Sequence, residues 1–387
     1  MNTFELDKEY VASTYARFDL NLVKGKGSKA YDEKGKEYID LGTGIGVTAF
    51  GFCDEEWVKA VNAQLNSLQH TSNLYYTNPC ALLAKALCEK TGMKKVFFSN
   101  SGAESNEAAI KAIRLYAEEN KGKDYYTILT LENSFHGRTL ATLAATGQDH
   151  FHEHFGPLPE GFVTIEPTRE ALFEACEKYK VAGIMFEAIR GEGGVIPMDK
   201  EFAKALTDAA KIYDIVLCAD EVQCGNGRTG QYFGYMKLGL EPDVVSTAKG
   251  LGGGLPIGAT LLGKKVENVF KPGLNGTTFG GNPVVCAGAL SIINRINSQL
   301  LDEVNEKSDY IVKSLTGVLG IESVTGMGLM LGVKPVNKTA KEVANACMAK
   351  GVLVLTAKDK ARLLPALNIP MEDLKKGIEV LNEVCNN

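Results

Sequence analysis

The sequence has no Cys-x-x-Cys pair, no excess of positive charge, no low-complexity tract and no internal repeat. Each absence removes a class of protein. The nine cysteines are odd in number and scattered, which argues against a disulfide framework or a zinc site and for reduced thiols in a cytoplasm. A net charge of −5 supplies no field for nucleic acid or an anionic membrane, so neither partner is expected. No apolar run approaches the roughly 20 residues of a bilayer span. Residues 1–7 show no charged-then-apolar targeting pattern. Histidine is scarce as well: there are five, three of them alternating at His150, His152 and His154. On a strand these would share a face suited to a metal, but Gly147 before them and Gly-Pro-Leu-Pro after them read as an irregular loop, and no metal is expected. What remains is a chain of 387 residues, 45% hydrophobic, able to bury a full-sized core in one large and one smaller domain.

Two stretches organise that chain. Ile215-Val216-Leu217-Cys218-Ala219 runs into Asp220-Glu221-Val222-Gln223, and Val244-Val245-Ser246-Thr247-Ala248 runs into Lys249 and a glycine tract. Short apolar runs bounded by turn signals read as buried strands of a parallel sheet, whose carboxyl edge is where open sheets bind ligands. One strand thus delivers a carboxylate to that edge and the other a lysine, two residue types seldom buried unless paired or used. Pyridoxal 5'-phosphate (PLP) needs this combination: a lysine amine to carry it covalently and a carboxylate to keep its ring nitrogen protonated. An ordinary ion pair at a sheet edge fits the spacing equally well.

Other stretches add to the choice. Val96-Phe97-Phe98 is a strand, followed by the turn Ser99 to Gly102 and a helix over 103–119, with Ser101 and Glu104 at capping-box spacing. A strand, a glycine turn and a helix start form an anion site, although most such turns bind nothing. The strand at 126–131 leads to Phe135, placed to stack on a flat heterocycle, and Arg138, placed to fork onto a carboxylate. Taken alone, Phe135 reads equally as core and Arg138 as surface. Another buried strand covers 183–189. Residues 29–40 read as a hairpin, 57–68 as an amphipathic helix, and 73–79 as an aromatic and polar loop that lines a pocket or caps the next helix. Gly225-Asn226-Gly227-Arg228-Thr229-Gly230 formally matches G-x-G-x-x-G, but it opens no clear helix and is not read as a dinucleotide site. Residues 276–283 form a second hydroxyl-and-glycine turn before a helix, and from 322 onward short strands and two helices carry Arg362.

Together these motifs resemble the class III (ornithine-type) aminotransferases, over essentially the whole chain. The resemblance rests on Asn100-Ser101-Gly102-Ala103-Glu104, on Phe135-His136-Gly137-Arg138-Thr139, and on Gly191-Glu192-Gly193-Gly194. Asp220-Glu221-Val222-Gln223, Lys249-Gly250 and Thr278-Phe279-Gly280-Gly281-Asn282-Pro283 complete it. The run from Phe135 into Ala144-Ala145-Thr146-Gly147-Gln148 is similar to the acetylornithine branch.

The resemblance implies an α/β chain of fold-type I. Its large domain, with a mostly parallel sheet flanked by helices, would span 51–276. A small α+β domain would come from both chain ends, 1–50 and, after a linker helix, 277–387. It further implies that Lys249 carries PLP, Asp220 pairs with the ring nitrogen, Gln223 bonds the ring hydroxyl, and Phe135 and Val222 sandwich the ring. Ser101, Gly102 and Ala103 would cradle the phosphate, joined by Thr278 of a second subunit in a homodimer. Arg138 would take the distal substrate carboxylate and Arg362 the α-carboxylate of glutamate, with Glu192 as the stand-in partner of Arg362 and Tyr15 also at the substrate. The implied reaction is transamination between N2-acetyl-L-ornithine and 2-oxoglutarate in arginine biosynthesis. A succinylornithine, ornithine or 4-aminobutyrate aminotransferase, or a PLP-binding protein without turnover, are the alternatives. Ala188, Arg190, Ala366 and Phe52-Cys53-Asp54-Glu55 depart from the family pattern, and Arg190 adds a cation that could compete for Glu192.

Overall fold

The computed structural model describes residues 1–386. Its centre is a seven-stranded sheet in the order Lys95–Ser99, Gly258–Leu262, Val244–Thr247, Val216–Asp220, Val181–Phe186, Thr127–Leu131 and Phe162–Ile165. The last five of these pair in parallel, while Gly258–Leu262 runs antiparallel to both its neighbours. Val181–Phe186, Val216–Asp220 and Gly258–Leu262 are buried at every position, and burial on both faces is why the first two read as continuous apolar runs. Helices cover the sheet. Gly102–Lys121 buries Ile113 together with Ala108, Ala109 and Ala112, small residues that let its backbone approach the strands. Lys200–Tyr213 buries Phe202, Ala203, Leu206 and Ala209 on one stripe.

The chain ends meet. Leu22–Lys26, Lys29–Asp32 and Glu37–Asp40 form an antiparallel set, and Glu37–Asp40 then pairs in parallel with Val352–Leu353, far along the chain. A second four-stranded sheet orders Ile321–Met327, Met330–Pro335, Lys360–Leu363 and Leu355–Ala357, with Arg362 opposite Gly332. The helices Ala340–Ala349 and Met371–Asn386 belong to this part of the chain. Among the described residues no single helix is long and apolar enough to cross a membrane.

The structure shifts several sequence boundaries for identifiable reasons. The helix expected at 57–68 is Glu55–Leu65, because Asp54 accepts from the Trp57 N–H and starts it earlier. The run 183–189 ends as a sheet strand at Phe186; Ile189–Arg190 turns away to pair with Ile196–Pro197. The antiparallel strand Gly258–Leu262 went unread, hidden behind the glycine tract that follows Lys249.

Candidate active site

Five loops leave the sheet at one edge and enclose a cavity of about 440 Å³, a size that suits a small-molecule or cofactor site. They carry Asn100 to Ala103, Phe135 to Arg138, Glu187 and Glu192, Asp220 to Gln223, and Lys249. The parallel pairing sets this convergence, since Asp220 lies beside Ser246 and Lys249 follows three residues later. Lys249 has φ of +45°, a strained backbone for a residue with a side chain, of the kind found where a site dictates conformation. Burial pushes its amine below the ordinary lysine value; Glu192 opposes that shift and Arg362 adds to it. A larger neutral fraction makes the amine a better nucleophile and base.

Asp220 is held by three donors. His136 Nδ1 lies 2.8 Å and Asn106 Nδ2 2.7 Å from Oδ2, and the Val222 N–H donates to Oδ1 at 3.0 Å. Burial opposes charge on His136, but the bond and charge of Asp220 outweigh it and raise the imidazole pKa. Neither His136 nor Asn106 was assigned a role from sequence. They lie 84 and 114 residues from Asp220, and no local spacing signals such a partnership. Glu187 was missed as well. Its carboxylate accepts from the Phe135 and Gly191 N–H groups, so it ties the loop of Phe135 to that of Glu192. Burial pushes its carboxyl up to about 7.

At the Ser101 turn, Ser101 Oγ accepts from the Glu104 N–H, and Glu104 accepts from the Asn100 N–H at 2.6 Å. This caps the helix from outside and leaves the N–H groups of Gly102 and Ala103, which lack intrahelical acceptors, for an anion. A Cβ on Gly102 would meet Val222 Cγ1 at 2.5 Å, so glycine is required for these two loops to close on each other. Phe135 and Val222 both border the cavity.

Arg362 and Glu192 form an ion pair of 2.5 Å, with Gln223 accepting from Arg362 at 3.0 Å and donating to Glu192 at 3.1 Å. Burial works against charge on Glu192, but the charge and hydrogen bond of Arg362 hold its carboxyl below the ordinary value. Arg138 stands at the mouth, exposed, with no ion pair among the described residues.

Several expectations need correction. Tyr15 is not brought to the cavity: it is 73% exposed on an N-terminal segment, with the Arg17 guanidinium stacked on its ring at 5.4 Å. Arg190 does not compete for Glu192, because its guanidinium turns to the Glu132 carbonyl at 3.0 Å. The loop at 73–79 does not line this chain's own cavity. Asn73 ties it instead to the carbonyls of Thr277 and Gly280, and Leu74, Tyr75 and Tyr76 point outward. Thr278, expected at a second subunit's site rather than this one, is exposed on the neighbouring turn.

PLP fits these residues on structural grounds. A buried carboxylate braced by two side chains, a half-buried lysine on a strained backbone, an aromatic wall and a glycine-dependent anion turn all face one cavity. The fold and the site therefore define a PLP-dependent transferase. Residues 10–385 match the family model "Aminotransferase class-III", and the chain belongs to that family. It is an aminotransferase of the α/β kind that the sheet and its flanking helices describe.

Among curated relatives, the chain is 46% identical to an acetylornithine aminotransferase of Haemophilus ducreyi, covering 99% of this chain and 98% of that protein. It is 41% identical to one of Methanocaldococcus jannaschii, covering 99% and 98%. Among solved structures, it is similar to an N-acetylornithine aminotransferase of Stenotrophomonas maltophilia. That match has 32% identity and a TM-score of 0.85, and covers 98% of each chain. It is also similar to an ornithine aminotransferase of Toxoplasma gondii, at 27% identity and a TM-score of 0.94 over 99% and 94%.

Proposed function

We propose that this chain moves the terminal amino group of N2-acetyl-L-ornithine to 2-oxoglutarate, giving N-acetyl-L-glutamate 5-semialdehyde and L-glutamate, a step of arginine biosynthesis. The observation that carries it is the unequal state of two arginines, Arg138 lining the cavity and Arg362 behind the lining residues Glu192 and Gln223. Arg138 is free, and Arg362 is neutralised by Glu192. N-acetylornithine brings one carboxylate, far from the reacting carbon; glutamate brings that one and a second on the reacting carbon. Arg138 serves the carboxylate both donors share, by a bidentate fork. Arg362 is needed only for glutamate and its keto acid, and an unpaired buried guanidinium otherwise costs several kcal/mol. Glu192 removes that cost when the acetylated donor is bound.

The remaining roles are those the resemblance implies, supported by the cavity these residues share. PLP, when bound, supplies an electron sink for the carbon losing its proton. Lys249 carries the cofactor and, once displaced by the donor amine, moves the proton from the substrate carbon. Asp220 keeps the ring nitrogen protonated, Gln223 serves the ring hydroxyl, Phe135 and Val222 hold the ring faces, and Ser101, Gly102 and Ala103 take the phosphate. Separating the donors in single-turnover measurements tests the switch. Arg362→Ala should slow the glutamate half-reaction by roughly 2–5 kcal/mol and the acetylornithine half-reaction far less. Glu192→Ala should shift preference towards glutamate. Equal losses for both donors in Arg362→Ala would refute it.

We also infer a homodimer in which Thr278 completes the phosphate site of the other subunit. Phe279 next to Thr278 is 60% exposed, and Leu74 at 86% and Tyr76 at 107% lie on the loop that Asn73 ties to Thr277 and Gly280, exposed apolar surface of the kind that marks a protein interface. Thr278→Ala should weaken PLP binding, and mixing it with Lys249→Ala should restore activity. One site of each hybrid would then carry neither lesion. A fully active monomer in sedimentation and assay contradicts the arrangement. A cytoplasmic location is the companion inference, supported by nine unpaired cysteines.

A further inference from the structure

We propose that Phe151 is a positioning residue that holds Arg138 flat for the substrate carboxylate, an inference that rests on the reading of Arg138 given above. The Arg138 guanidinium lies 4.2 Å from the Phe151 ring centroid and 5.5 Å from that of Phe135. The two rings meet edge-on, 5.6 Å apart at 70°. An exposed arginine without an acidic partner ordinarily samples many rotamers, so ordering it on binding costs free energy. Here two aromatic faces fix its plane and leave the N–H edge open. That edge is the part that forks onto a carboxylate. The face covered by Phe151 is shielded from water, which strengthens the ion pair that forms.

Phe151 is itself held in place. It sits in the short 3-10 turn Asp149–Phe151, and its N–H donates to the Gln148 carbonyl. The Gln148 amide donates to the Ser134 carbonyl, and the Ser134 hydroxyl accepts from the Gly147 N–H. One residue on, His152 Nε2 lies 2.9 Å from both the Leu143 and Thr146 carbonyls, fastening the turn to the helix Leu140–Ala145. The His150 ring packs against Phe151, centroids 4.0 Å apart and tilted by 41°. The loop that carries Phe151 is therefore pinned to the loop that carries Phe135 and Arg138. The three alternating histidines belong to this clamp: two of them brace the aromatic that orients the arginine.

The test uses PLP-loaded protein and glutarate, an unreactive dicarboxylate whose binding is read by calorimetry, alongside KM and kcat for 2-oxoglutarate. Phe151→Ala should weaken glutarate and raise the 2-oxoglutarate KM by about tenfold, with kcat changed by less than about threefold. Phe151→Tyr, which keeps the ring face, should bind like the wild type; Phe151→Leu, which keeps bulk alone, should resemble Phe151→Ala. Arg138→Ala serves as the benchmark. If it weakens glutarate and Phe151→Ala does not, the positioning role alone is overturned. If Arg138→Ala leaves glutarate unchanged, the reading of Arg138 falls and the proposal with it. Leucine restoring affinity as fully as tyrosine, or a parallel loss of PLP affinity in Phe151→Ala, also overturns the proposal by reducing Phe151 to packing.

Discussion

Lys249→Ala should retain PLP through the Ser101 turn and Asp220, yet lose turnover by on the order of 10⁴-fold or more, because it removes both the covalent attachment and the proton carrier. The structure gives the reason in position and chemistry. The amine ends a fully buried strand region, on a strained backbone, with burial lowering its pKa. Glu192, Asp220 and Glu187 are the nearby charges that limit that lowering, and Arg362 reinforces it. No other lysine borders the cavity among the described residues. Borohydride treatment followed by mass measurement checks attachment independently of activity. Wild-type protein should gain the mass of the reduced cofactor on the peptide containing Lys249, and the variant should gain none. Wild-type turnover in Lys249→Ala would sink the assignment.

The second large effect is expected from Asp220→Asn. Oδ2 of Asp220 accepts from both His136 and Asn106, and Oδ1 accepts from the Val222 N–H. An amide satisfies only one side of that arrangement, since its NH₂ must face a donor whichever way it is turned. More important, the negative charge that keeps the ring nitrogen protonated is gone. The loss should amount to several kcal/mol of barrier, tenfold for each ~1.4 kcal/mol, with PLP still bound. Single-turnover rates at full cofactor occupancy measure it; a rate near that of the wild type would mean the ring nitrogen needs no carboxylate here.

How far the sequence could be read depended on whether a residue's partner was local. Asp220 and Lys249 were legible because each ends an apolar run, and strand ends of parallel sheets share an edge. The Ser101 turn was legible from its capping spacing. His136 was visible inside a motif, but its bond to Asp220 depends on Thr127–Leu131 and Val216–Asp220 lying one strand apart in the sheet, and that of Asn106 on the helix Gly102–Lys121 packing over the sheet. Glu187 looked like the tail of a strand; the chain leaves the sheet there, and its carboxylate then bonds two backbone N–H groups. The alternating histidines carried a period-2 pattern that suits a strand, but the local glycine and prolines win and a short turn forms. Tyr15 rested on resemblance alone. With no buried apolar neighbour in residues 11–19 to dock that segment, the side chain stays outside.

The most direct test of the account is the rate at which purified, PLP-loaded protein forms glutamate from 2-oxoglutarate with N-acetylornithine, compared side by side with ornithine, succinylornithine and 4-aminobutyrate. A free Arg138 and a neutralised Arg362 predict the largest kcat/KM for an acylated ornithine, well above that for ornithine, whose α-amine adds an uncompensated charge beside Arg138. Free ornithine or 4-aminobutyrate proving the better donor, or no glutamate formed with any of the four, would contradict it.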